Sequence, residues 1–433
     1  MLTPEENELL CRVGPGTPMG NMMREYWFPG LQSIEVPERD GPPVRIKLLG
    51  EELIAFRDTN GDVGLIDNYC PHRRASLFFG RNEEEGIRCV YHGWKFDVNG
   101  ECVDMPSEPA ESNFRDKVKI KSYRTHERNG IIWVYMGPRE VPPPLPELEG
   151  NMHDNYSISV LHRNCNWMQG LEGEMDTIHV TFLHLGHLTI HNTEPGSMEY
   201  HQAQNRYGKF SVKITDHGTS YGMVRPTDDG QEYWRVGHIL FPFYAMVPGI
   251  DNPLGSNAGF LCYVPMDDHH TLEWGVRALK PGESPRDQLR DYQPNGTGWY
   301  DRYNLDQNWG NDFQIDREAQ RKMVSFTGIK GIRQQDMAMT ESMGSIYDRT
   351  KEHLGTTDQM IIRTRRRYMD AARALMEDGT PPPGLETPWA YHQRSGQAVI
   401  PGGVDWWEYT KDVRERFEPS GMVVDTREME PAG

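Results

Sequence analysis

This 433-residue chain has no apolar run that could cross a membrane. The longest, Ile239-Leu240-Phe241-Pro242-Phe243-Tyr244-Ala245-Met246-Val247, falls far short of the roughly twenty residues such a helix needs. It also lacks a basic excess: 46 Lys and Arg stand against 64 Asp and Glu, a net charge of −18. That balance excludes the phosphate-neutralising surface of a nucleic-acid binder and suits a partner that presents basic residues. The start, Met1-Leu2-Thr3-Pro4-Glu5-Glu6, has neither the basic nor the apolar region of an export signal. Cysteines are few and scattered, so free thiols in a reducing cytoplasm are expected rather than a disulfide framework. There is no internal repeat and no low-complexity stretch.

What is present is the composition of a packed protein, 36% apolar and 25% charged, long enough for two domains. Val44–Leu48, Glu52–Arg57 and Ile131–Tyr135 read as strands, with Asp58–Asp62 and Asp97–Gly100 as turns. Pro138 to Pro146 is proline-dense and reads as a stiff linker. The expected organisation is an N-terminal segment over 1–40 packing on the larger domain, a small antiparallel β domain over 41–137, a linker over 138–150, and a second domain over 151–433. In that second domain Asn166–Leu183, Gln334–Met343 and Thr357–Glu377 read as helices, and Ser211–Ile214 and Gly259–Val264 as strands. The fold class is α+β.

The chemistry begins at Cys70-Pro71-His72-Arg73 and Cys89-Val90-Tyr91-His92. Two Cys and two His in mixed pairs suit a [2Fe–2S] cluster in which imidazoles replace thiolates on one iron, the Rieske arrangement. The rival is a Cys2His2 zinc site, but zinc fingers put the two Cys together and the two His together. Both pairs are expected on loops between short strands.

A cluster of this kind carries electrons but does not transform an organic substrate, which directs attention to Asp176-Thr177-Ile178-His179-Val180-Thr181-Phe182-Leu183-His184. With Glu172, Glu174 and Asp176 nearby, the two histidines offer donors for a 2-His-1-carboxylate Fe(II) site. On an ideal helix they lie about 140° apart, so they converge only if the helix ends or unwinds. Asp176 is placed to accept the second ring N–H of His179. His187 and His191 are nearby decoys. Gly14-Pro15-Gly16 with Gly20 is a turn, since no strand precedes it.

Together these segments resemble the oxygenase (α) component of Rieske non-haem iron ring-hydroxylating oxygenases, in the phthalate dioxygenase-like branch that includes aryl O-demethylases. The resemblance rests on C-P-H-R, C-x-Y-H-G-W-K-F (Cys89–Phe96), N-W-x-Q-x-L-E-G (Asn166–Gly173), D-x-x-H-x4-H (Asp176–His184), G-I-R-x-Q-D (Gly331–Asp336) and Glu341–Gly355. It implies a Rieske cluster on Cys70, His72, Cys89 and His92, and a mononuclear ferrous ion on His179, His184 and Asp336. Asp316, Glu318, Glu341 and Asp348 compete locally for the carboxylate role. It further implies a homotrimer or stacked trimers, with Asp176 bridging His92 of one subunit to His179 of another, and a separate reductase, with or without a ferredoxin. The implied substrate is a small aromatic acid oxidised with O2. O-demethylation of a methoxylated, lignin-derived acid is favoured, ring (di)hydroxylation of a phthalate-type or substituted benzoate is the alternative, and a non-catalytic redox sensor is the remote one. Arg225 and Arg235 are candidate carboxylate binders, with Arg206 and Lys209 behind them. The segment His191–Lys209 reads as a loop over the pocket.

Overall fold

A computed structural model of the chain describes residues 1–109, 111–250, 252–279, 282–283 and 296–420; the end of the expected second domain, 421–433, lies outside the described residues. The chain builds three antiparallel sheets. The first pairs Trp27–Gln32, Ile131–Tyr135, Ser122–Arg128, Val63–Asp67, Glu51–Arg57 and Val44–Leu48 in that order. A second, of short strands, runs from Arg81–Glu83 through Gly86–Arg88 and Lys95–Phe96 to Cys102–Asp104. The loops that carry both Cys-His pairs flank these strands, above a separate small core of Ile54, Phe56, Ile66, Leu77, Ile87, Trp94 and Phe96.

The third sheet forms the large domain, with Tyr156–Arg163 at one edge and Lys209–Thr215 at the other. Beside the second edge lies the long hairpin Gly218–Pro226 and Gln231–Leu240, whose second strand also pairs with Gly396–Pro401. Within that hairpin Met223 opposes Arg235 and Arg225 opposes Tyr233, so four side chains project from one face. Helices cover the sheet. The helix Gln359–Asp378 ends at Gly379, whose φ of 74° supplies the left-handed cap.

The first forty residues belong to both domains. Helices Pro4–Cys11 and Pro18–Arg24, each started by a Thr cap followed by Pro, pack against Gln359–Asp378. Strand Trp27–Gln32 then joins the first sheet beside Ile131–Tyr135. It also meets the large domain, where the Tyr244 hydroxyl donates to the Trp27 carbonyl at 2.6 Å and Phe28 packs edge-on against Phe243. The Leu49 and Gly50 amides donate to the Pro265 and Met266 carbonyls. One continuous core therefore runs from the first sheet into the third.

Candidate metal centres

Cys70 and Cys89 are buried beneath the tips of their loops, and the His72 and His92 rings lie 4.4 Å apart, centroid to centroid. His72 stacks on Trp94 at 4.5 Å. The two thiols face each other. Their mutual hydrogen bond lowers Cys89 and raises Cys70, so the pair shares one proton, and the Tyr91 and His92 amides further favour the Cys89 thiolate. Peptide N–H groups that favour thiolates suit a thiolate-held cluster, whose potential depends in part on hydrogen bonds to its sulfurs. The donor set of two sulfurs and two imidazoles fits a Rieske cluster.

At the second site the expected helix stops early. It spans Trp167–Met175, and its continuation is a short 3-10 turn, His179–Thr181. The cause is Asp176, whose Oδ1 accepts from the Ile178 and His179 amides at 3.0 and 3.3 Å and so starts a new turn in competition with the helix. The interruption lies before His179, and it lets both histidines converge. Their Nε2 atoms are 3.1 Å apart and sit 3.5 and 3.2 Å from Asp336 Oδ1. Among the described residues these three side chains form the one group of metal-type donors gathered within 4.8 Å.

Asp336 comes from the helix Ile332–Ser342, which Gly331 opens at φ 94°. Next to it, Gln335 accepts from Nδ1 of His184 at 2.7 Å and is itself anchored to the Ile329 carbonyl. This contact turns the Nε2 lone pair of His184 inward. Gln335 is a functional residue that the sequence reading did not single out, although it stands inside the G-I-R-x-Q-D motif. Burial lowers the His179 imidazole, whereas for His184 the Asp336 carboxylate outweighs burial and raises it. Two imidazoles and one carboxylate fit a facial-triad ferrous ion.

The competing carboxylates are otherwise engaged. Asp316 caps a helix, Glu318 pairs with Arg321 on the surface, Asp348 holds Thr350, and Glu341 is buried against the Asn164 amide. Glu172 is clamped by Arg349 and Arg365. Glu174 accepts from the Tyr263 hydroxyl at 2.5 Å and is raised to about 7 by burial and then by the Asp336 charge. Asp176 Oδ2 stands 3.9 Å from His179 Nδ1, an ion-pair distance rather than a hydrogen bond. His187 and His191 stay outside the triad.

Arg225 and Arg235 lie on one face of the long hairpin and are 0% and 1% exposed. The Arg225 Nε donates to the Asn205 carbonyl, while its Nη2 has no hydrogen-bond partner. Burial holds its guanidinium down to about 10. Arg206 instead clamps the carbonyls of Thr181 and Leu188, and Lys209 points outward. The segment over this face is not wholly loop: Ser197 caps a helix, Met198–Gln204.

Residues 26–124 match the Rieske [2Fe-2S] domain model, and residues 134–429 match the model described as LigXa C-terminal domain like. The chain belongs to the Rieske oxygenases, as an oxygenase subunit. It is 46% identical over 423 residues to the 3-chlorobenzoate-3,4-dioxygenase oxygenase subunit of Comamonas testosteroni, covering 94% of this chain and 97% of that one. It is 40% identical to the phthalate 4,5-dioxygenase oxygenase subunit of Pseudomonas putida, over 94% and 95% of the two chains. To the 5,5'-dehydrodivanillate O-demethylase oxygenase subunit of Sphingobium sp. (strain NBRC 103272 / SYK-6) it is 34% identical, over 85% and 80%. This Rieske oxygenase is thus an oxidoreductase of the oxygen-incorporating kind, with a [2Fe–2S] cluster and a mononuclear non-haem iron as cofactors. It is the oxygenase component of a multicomponent system, supplied with electrons by a separate reductase or ferredoxin. No helix among the described residues is long and apolar enough to cross a membrane.

Proposed function

We propose that this oxygenase oxidises a small aromatic carboxylic acid held by Arg225 and Arg235. The observation that carries the reading is the buried Arg225 guanidinium, which has a free N–H and no carboxylate partner among the described residues. A buried charge is stable only when paired, and a substrate carboxylate would complete it. The His201 ring on Tyr233, and the unpartnered Tyr221 hydroxyl and Asn205 amide oxygen, give the surrounding face the same polar character.

Between the two outcomes, ring dioxygenation of a benzoate or phthalate comes first, because the two relatives of higher identity carry those names. O-demethylation of a methoxylated acid is the second reading, supported by the third relative. When bound, the ferrous ion on His179, His184 and Asp336 supplies O2 activation and the cluster on Cys70, His72, Cys89 and His92 supplies single electrons. The residues of the chain do the rest. Gln335 fixes the His184 tautomer, Asp176 holds the turn that presents His179, and the arginines hold the acid.

The oligomer in this reading is a trimer or a stack of trimers. Within one chain the His72 and His92 rings contact each other, Trp94 and Tyr91, and Asp176 turns to its own backbone and His179. Exposed Val90 and Tyr91 beside the cluster, and exposed Phe182, Met339 and Met343 beside the iron, are the apolar surfaces that a neighbouring copy would cover. Asp176 would then bridge His92 of one subunit to His179 of the next.

Oxygen uptake with a surrogate reductase and 3-chlorobenzoate, phthalate and a methoxylated benzoate tests the reading. Diol formation supports the first outcome and formaldehyde release the second; no uptake with any acid overturns both.

A further inference from the structure

Three consecutive residues of the large domain, Asp312, Phe313 and Gln314, have φ of 50°, 51° and 51°. L-residues visit this left-handed region singly and not in runs, because Cβ crowds the following carbonyl. None of the three is glycine. Asp312 and Gln314 are exposed, and only Phe313 is buried. Local polar groups hold the turn: the Phe313 amide donates to the Asn308 carbonyl at 2.9 Å, and Asn311 Nδ2 to the Asp306 carbonyl at 2.6 Å. Phe313 completes a small separate core with Leu161, Leu305, Ile329, Met337 and Ala338. Met337 and Ala338 directly follow Asp336 on the helix Ile332–Ser342, and the Ile329 carbonyl anchors Gln335 Nε2 at 2.8 Å. Gln307 Nε2 bridges the Phe313 and Lys330 carbonyls at 3.2 and 3.3 Å, which ties the turn to the segment leading into that helix. The two residues that meet His184, Gln335 and Asp336, therefore rest on the core that Phe313 fills.

We propose that Asp312–Gln314 is a strained wedge and Phe313 a positioning residue, whose ring sets where the helix Ile332–Ser342 presents Asp336 and Gln335 to His184. This rests on His179, His184 and Asp336 as the iron site. Strained backbone persists only where its surroundings over-determine it, and it concentrates at functional sites. Here the strain is offset by the burial of one aromatic ring against the ligand-bearing helix. Because such cores are close-packed, a loss of volume at residue 313 is passed to the helix as a shift. Asp336 and Gln335 then move together, since they are neighbours on it.

The test titrates Fe(II) into cluster-containing protein and follows the visible bands of Co(II) placed at the same site. Phe313→Ala should weaken iron binding by about 10-fold or more, the scale of losing an orienting partner, and should shift the Co(II) bands. Phe313→Leu, the milder truncation, should fall between it and the wild type. Ile400→Ala, a truncation in the separate core of Trp234, Val236 and Trp406, should lower the melting temperature and leave both readouts unchanged. Asp312→Gly and Gln314→Gly, which suit the left-handed φ, should melt at the wild-type temperature or above it. Wild-type iron binding in both Phe313 variants, or an equal loss in Ile400→Ala, overturns the positioning role. Lower melting temperatures in both glycine variants overturn the strain. Wild-type protein that takes up no iron beyond its cluster overturns the triad instead, and the wedge with it.

Discussion

Gln335 accepts a hydrogen bond from His184 Nδ1 at 2.7 Å, and its neighbour Asp336 stands 3.2 Å from His184 Nε2. Consecutive residues of one helix thus grip both nitrogens of the same imidazole, one holding Nδ1 and the other facing Nε2. Gln335→Leu should lower Fe(II) affinity by about 10–100-fold, the effect of removing an orienting partner, while the cluster spectrum stays as in the wild type. Iron titration of the cluster-containing protein checks this.

His179→Ala should lose the mononuclear iron and keep the cluster. Metal analysis with electron paramagnetic resonance of the reduced cluster separates the two. Retention of both would remove His179 from the proposed ligand set.

Asp176→Asn keeps an oxygen able to accept from the Ile178 and His179 amides, so the turn should survive with both metals in place. The negative charge is lost. If Asp176 bridges subunits, a pre-reduced cluster should then fail to discharge on adding substrate and O2, followed by stopped-flow absorbance. Discharge at the wild-type rate would sink the bridge.

Arg225→Met should raise KM for the acid substrate by about 10-fold or more, the worth of a hydrogen bond to a charged group, with a smaller effect on kcat. Its effect on stability should run the other way. Removing a buried, unpaired charge relieves a desolvation penalty, so the substrate-free variant should melt at the wild-type temperature or above it. A large drop in melting temperature would mark Arg225 as structural.

Acid should weaken the large domain through three buried histidines. Burial lowers His162 to about 4 and His217 to about 3, and holds His238 well below the ordinary range. The unfolded chain protonates these rings below about pH 6.5, while the folded chain resists until those lower values. Between the two the unfolded state binds more protons, so stability is present above about 6.5 and is lost as the pH falls, by about 1.4 kcal/mol per pH unit for each ring. Urea midpoints at neutral and mildly acid pH should show the slope, and His217→Gln should flatten it.

The donors of both candidate centres could be singled out in the sequence because they come in short, chemically distinctive groups, and the fold brings His179, His184 and Asp336 together. The helix that carries Asp336 and the long helix after it also followed from local pattern. The N-terminal helices carried readable signals, Thr3-Pro4 with Glu6 and Thr17-Pro18, that the glycines between them obscured. The Met198–Gln204 helix was hidden in the same way behind Pro195 and Gly196. Other features have no local signature. The pairing of Trp27–Gln32 with Ile131–Tyr135 joins residues about a hundred positions apart; the empty donor of Arg225 and the grip of Gln335 exist only once distant segments meet.

That pairing bears on how the enzyme keeps time. Strand Trp27–Gln32 is hydrogen-bonded into the cluster-bearing domain and welded by Tyr244 and Phe243 to the iron-bearing one. A swinging arm needs a hinge, and here the place for a hinge is occupied by shared core. The cluster therefore cannot commute to its target. In the proposed trimer the distance an electron must jump is decided once, when the subunits assemble, and the catalytic rhythm is left to the substrate.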